Sequence, residues 1–213
     1  MKKSEYLIIL LVIISFALGW YFYPQLPERV ASHWNEKGEV NGYMSRFWGA
    51  FILPVINLIM AVLFLIIPRI DPLKHNIVTF RKYFDTFVII ILLFMIYIYL
   101  LTIAWNLDYR FNLMQWMMPA MAVLFYFVGV MLKHTKRNWF IGIRTPWTLS
   151  SDEVWDKTHQ LGGQLFKLIA VLTLASIFWP DYSIYIFLIP IFVVTIFIMI
   201  YSYYLFRKEP RHV

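Results

Sequence analysis

Residues 86–105 read Thr86-Phe87-Val88-Ile89-Ile90-Ile91-Leu92-Leu93-Phe94-Met95-Ile96-Tyr97-Ile98-Tyr99-Leu100-Leu101-Thr102-Ile103-Ala104-Trp105. No charge interrupts the run. A bilayer core about 30 Å thick is crossed by about 20 apolar residues of helix. Five further runs come near that length: Tyr6–Tyr23, Trp48–Ile67, Met114–Leu132, Leu165–Trp179 and Ile184–Phe206. Backbone polar groups in hydrocarbon must be satisfied within the segment, so each run reads as a transmembrane helix. The predicted fold is therefore an all-α polytopic membrane helix bundle with six transmembrane helices.

Composition agrees: 61% hydrophobic, 20% aromatic, 15% charged, with a mean hydropathy of +0.66. A soluble domain is nearer 45–50% apolar and about 25% charged. The net charge of +7 reads as topology signal and contact with anionic lipid. No basic segment carries a nucleic-acid reader motif, so no direct nucleic-acid partner is expected. The absence of cysteine excludes thiol catalysis and thiolate metal sites. All but Arg29, Lys37, Arg46 and Arg110 of the 19 lysines and arginines fall on alternate segments, counting Lys2 and Arg211 at the ends. That bias predicts both termini in the cytoplasm and a multi-pass protein of the cell membrane. Trp20, Trp48, Trp105, Trp116 and Trp179 fall at the predicted outer helix ends, where indole rings favour the interface. The first span runs past signal-peptide length and is expected to stay as an anchor.

Three stretches organise the chain: residues 1–67 with the first two spans, 68–132 with the third and fourth, and 133–213 with the last two. Inside the spans there is no ionisable residue that must sit at mid-depth, which argues against a pump or a proton-coupled carrier. Asn57 reads as an interhelical hydrogen bond.

Two loops are long enough for recognition. In the outer loop, Pro24 to Phe47, Val30, Ser32 and Trp34 alternate as in a strand. Gly38 and Asn41-Gly42 suit the positive φ of tight turns, so a small extracellular hairpin-like cap is expected, with Trp34 in the headgroup region. His33, Glu36 and Glu39 are possible metal ligands, but lack the fixed helical spacing of a zinc site. No metal or cofactor is expected. In the inner loop, Lys133 to Gln164, Ser150 and Glu153 read as a capping box. A short cytoplasmic interfacial helix should follow, with Trp155 and His159 on one face, and end at Gly162-Gly163. Arg144 is a fixed charge near the interface, suited to lipid phosphate, to an acid of the following helix or to a partner. Ser150, Asp152, Glu153 and His159 are hydrolase residue types without a nucleophile elbow or zinc-protease spacing, so the chain does not read as an enzyme.

Two motifs carry a resemblance. Leu26-Pro27, Val30, His33-Trp34-Asn35 and Gly38-Glu39-Val40-Asn41-Gly42-Tyr43 resemble a small domain of unassigned function in bacterial membrane proteins. Asn138, Gly142-Ile143-Arg144-Thr145-Pro146-Trp147-Thr148-Leu149, Val154-Trp155 and Thr158-His159 resemble the signature of the SdpI family of immunity proteins. The resemblance implies protection against a secreted, membrane-active sporulation-delaying peptide toxin of bacilli. It also implies a relay that holds a cytoplasmic repressor protein at the membrane. On that reading His33, Trp34, Asn35, Gly38 and Tyr43 face the toxin. Asn138, Gly142, Arg144, Thr145, Pro146, Trp155 and His159 brace the bundle or dock a partner. Competing readings are a transporter or exporter of a small molecule or peptide, a membrane enzyme, and a regulatory subunit.

Overall fold

A computed structural model describes residues 3–35 and 38–209. Lys2, Glu36, Lys37 and Arg211, used in the readings above, lie outside the described residues. Eight α-helices and one two-stranded antiparallel sheet follow in the order α1 Lys3–Phe22, β1 Arg29–Trp34, β2 Val40–Ser45, α2 Arg46–Ile70, α3 Lys74–Thr79, α4 Arg81–Asn106, α5 Leu113–His134, α6 Pro146–Ser150, α7 Asp152–Ala175 and α8 Ser183–Lys208. Six of them (all but α3 and α6) are long and apolar enough to cross a membrane. The protein is a multi-pass membrane protein.

The spans form two groups of three. In the first, α1, α2 and α4 pack through Ile8, Leu11, Val88, Leu92 and Phe84. In the second, α5, α7 and α8 meet at Met118, Ile169 and Phe187. Helices α5 and α7 make the most extensive helix pairing among the described residues. A Cβ on Gly129 would lie 2.6 Å from the Gly163 carbonyl oxygen, and one on Gly163 equally near that of Gly129. Only glycine allows backbones so near, the device by which membrane helices associate without a hydrophobic driving force. The groups join along α4 and α5.

Charges collect where α1 starts and α2 ends. Buried Glu5 lies 3.3 Å from Arg69 and 3.5 Å from Arg81, Arg81 pairs with Asp85 at 2.5 Å, and the Ser4 hydroxyl donates to Asp85. At mid-span the side chains are nearly all apolar. Asn57 is buried, yet its Oδ1 has no partner among the described residues, so the expected interhelical bond through that oxygen is not formed.

Three local expectations change. The turn between β1 and β2 is closed by Asn35 and Glu39, with Gly38 at φ +77°. Asn41-Gly42 are strand residues instead, and Gly42 faces His33 across the ladder. The helix after the inner loop is no separate interfacial element: α7 passes straight through Gly162-Gly163 and continues as the fifth span. Glycine there serves packing against α5 and does not terminate the helix. Its cap is Ser151, whose hydroxyl accepts from Val154 N–H at 3.2 Å. The capping box lies at Thr145 and Thr148, while the Ser150 hydroxyl donates to the Pro146 carbonyl.

The sheet rests on the helix ends. Asn106, the last residue of α4, accepts from Ala31 N–H at 2.7 Å and donates to the Ala31 carbonyl at 3.0 Å, standing in for a third strand. Trp34 is only 7% exposed and packs edge-on against Trp105, so it is a strut buried within the protein. Replacing Asn106 with Leu strands both backbone groups of Ala31. The expected result is a loss of about 1–3 kcal/mol and faster hydrogen exchange confined to residues 29–45, read by mass spectrometry in detergent.

Candidate functional site

The loop between α5 and α7 has little regular structure, and its polar side chains do the folding. Asn138 is fully buried. Its Oδ1 accepts from Phe140 and Ile141 N–H, at 3.0 and 2.6 Å. Its Nδ2 donates to the carbonyls of Lys136 and Ile141, at 2.8 and 2.9 Å. One amide thus satisfies four backbone groups, as buried peptide groups require. Gly142 follows with φ +114°, a region that β-carbon residues rarely adopt. Its Cα faces the His159 imidazole, where a Cβ would collide with Nε2.

His159 is the keystone of the loop. Its Nδ1 donates to the Trp155 carbonyl at 2.8 Å, and its Nε2 accepts from Ile143 N–H at 2.9 Å. This pattern assigns the neutral ring with its proton on Nδ1. The ring stacks on Trp155 with centroids 4.0 Å apart, and the buried indole N–H donates to the Thr135 carbonyl at 2.9 Å. Thr145 caps α6, Pro146 occupies the first turn, and the Thr145 hydroxyl meets that of Ser202 on α8 at 3.1 Å. The structure therefore brings Asn138, Gly142, Thr145, Pro146, Trp155 and His159 into one assembly. Arg144 stands apart. It is exposed, donates to the Trp139 carbonyl at 2.6 Å, and has no carboxylate partner among the described residues. The half-exposed rings of Trp139 and Phe140 lie on the same turn.

This loop also ties the two helix groups. Asp71, at the end of α2, accepts from Trp139 N–H at 2.9 Å, and Asn76 of α3 donates to the Arg137 carbonyl at 2.7 Å. Neither residue was a sequence candidate.

At the opposite end, His33 is exposed with Nδ1 2.5 Å from Asn41 Oδ1. Asn35 closes the turn onto Glu39 through both its amide atoms. Tyr43 is exposed under the Arg29 guanidinium, 5.1 Å from the ring centre. Gly38 sits beside Asn112, the cap of α5. Beneath β1 lies a cleft of about 440 Å³ between α2, α4 and α5, walled by Val30, Trp34, Ile56, Ile98, Met114 and Met117.

Residues 134–202 match the SdpI/YfhL protein family, and residues 10–58 match a domain of unknown function, DUF1648. The stretch from His134 to Ser202 is therefore similar to the SdpI/YfhL family. It is 23% identical to the immunity protein SdpI of Bacillus subtilis strain 168 over 97% of both chains. No solved structure matches. The SdpI/YfhL match begins at His134 and closes on Ser202, the residue that receives Thr145, so it spans the loop and its supports. Asn106 and Asp71 lie outside both matched stretches.

Gly142→Ala forces a strained φ and pushes His159 off Ile143 N–H. It should destabilise by about 2 kcal/mol or more, seen as a lower unfolding temperature in detergent together with loss of the near-ultraviolet signal of stacked Trp155.

Proposed function

We propose that this protein is a membrane immunity protein, which protects the cell that makes it from a secreted membrane-active peptide without turning anything over. The observation that carries the reading is the match to an immunity protein along nearly the full length of both chains. The disposition of polar groups supports it. Ser150, Glu153 and His159 are each held in structural contacts: the first on the Pro146 carbonyl, the second on Lys157, the third between two backbone groups. No two of the three are hydrogen-bonded to each other as a nucleophile and its base. In this reading the hairpin faces outward, as the distribution of basic residues argues, and His33, Trp34, Asn35, Gly38 and Tyr43 meet the peptide. The Asn138–His159 assembly keeps the two helix groups in register behind it.

The relay half of the reading, recruitment of a cytoplasmic repressor protein, draws its support from the turn bearing Arg144, Trp139 and Phe140. Its exposed rings and uncompensated guanidinium are the kinds of group that anchor protein interfaces.

The test is survival of a sensitive strain expressing the protein and challenged with the sporulation-delaying peptide. Wild type should raise survival well above that of the same strain without the protein. Trp155→Ala should abolish protection by loosening the bundle. Arg144→Ala should leave protection intact and lose any co-purifying cytoplasmic partner. A transporter would instead show peptide flux in proteoliposomes, and tags at residues 33 and 144 that label from the same side would overturn the proposed topology.

A further inference from the structure

The cleft under the hairpin has features that packing alone does not explain. Strand β1 is held on the helix ends at two places, by Asn106 on Ala31 and by Trp105 on Trp34. Between these struts and α2 the chain leaves its space of about 440 Å³ unfilled. That falls within the range of ligand pockets. The helices α2 and α5 both line it, with α4, so the space is a cleft between spans.

Its chemistry is selective. The wall is apolar, and Met44, Met114 and Met117 contribute to it. Methionine is unbranched and polarisable, and suits surfaces that adapt to varied apolar side chains. Trp34 lines the same cleft. Its ring is 7% exposed, and its indole N–H is buried with no acceptor among the described residues. Buried indole donors almost always find an acceptor, because leaving one unpaired costs about 1–3 kcal/mol. Here the protein supplies none. Ser32 and His33 of the strand add polar groups along the rim.

We propose that this cleft receives an apolar segment of a membrane-partitioned peptide, and that a small turn of the Trp34 ring then brings its buried indole N–H to a peptide carbonyl. The proposal rests on the immunity reading and names its binding site and ligand class. A peptide fits the site better than a phospholipid tail does. Ser32 and His33 line the cleft beside Trp34, and a peptide backbone offers a carbonyl at every residue, whereas an acyl chain offers none beyond its ester. The cleft lies between the sheet and the helix ends, the level at which an amphipathic peptide rests in a bilayer.

Photo-crosslinking tests it. The full chain, carrying benzoyl-phenylalanine at position 56, 117 or 193 in turn, is placed in phosphatidylcholine–phosphatidylglycerol vesicles with the synthetic sporulation-delaying peptide. Positions 56 and 117 line the cleft, whereas 193 is an exposed position on α8. Peptide adducts are expected at 56 and 117 and not at 193. With the label at 56, the adduct should fall about tenfold in Trp34→Phe, which keeps the ring and removes the donor, and in Met117→Trp, which fills the space. Adducts to lipid alone, equal adducts at 193, or adducts indifferent to both substitutions overturn the proposal. Cellular protection without a cleft adduct sinks the cleft and spares the immunity reading. A cleft adduct without protection does the reverse.

Discussion

A peptide group at the edge of a bilayer has little water to turn to, so each must find its partner inside the protein. The spans meet this demand with their own ladders. The two irregular segments cannot, and each meets it by borrowing a side chain. Asn106 reaches from α4 to satisfy the N–H and carbonyl of Ala31. Asn138 satisfies four groups of its own loop, and His159 takes the N–H of Ile143 from one turn of α7 while holding the Trp155 carbonyl below it. Amides and a neutral imidazole suit the task because each donates and accepts at once and carries no charge to desolvate.

These borrowed bonds also fix how the helices sit. The two groups of three spans meet chiefly along α4 and α5, which by itself permits rocking about that seam. The Asn138 loop adds a second tie at one end: Asp71 and Asn76 hold it to the first group, His159 and Ser202 to the second. The hairpin adds a tie at the other end, because Ala31 and Trp34 pack in one cluster with Leu101 of α4 and Leu113 of α5. Ionic contacts reinforce the loop end. Arg81 lies between Glu5 and Asp85, so the starts of α1 and α4 are joined through one guanidinium with acids on both sides. A pair this enclosed is costly to break from one side only, since a buried charge would be left alone.

The spans were legible because length and apolarity are local properties, readable without knowing what packs on what. The hairpin was legible from the alternation of Val30, Ser32 and Trp34, but its turn was not. Asn-Gly at 41–42 carries the stronger turn chemistry, yet the ladder extends through it, and Gly42 is needed small opposite His33, where a Cβ would come within 2.9 Å of the His33 Cβ. The cap of α7 was missed by one residue, since Ser150 and Ser151 both stand where a cap is wanted and only the fold decides between them. The separate interfacial helix failed for a related reason. Gly162-Gly163 stops a helix in water, but here their missing side chains let α7 approach α5, and packing keeps the helix going. Asn106 and Asp71 were beyond reach, because their partners lie 75 and 68 residues away and neither carries a local motif.

What a side chain already does for the fold bears on what it can do for a ligand. Asn138, Gly142, Thr145, Trp155 and His159 have their hydrogen bonds or their backbone conformation committed to holding the loop, and a motif built from them is first a folding motif. The groups with capacity left lie at the margins: the Arg144 guanidinium beside exposed Trp139 and Phe140 at one end, and the buried, unpaired N–H of Trp34, a residue of the cleft wall, at the other. Because the first group holds the helices in register between the two ends, damage to it would reach both margins, whereas damage at either margin would stay local. A loss of function caused by Trp155 or His159 therefore speaks for the integrity of the bundle, and only the marginal residues can separate what the protein meets on one face from what it meets on the other.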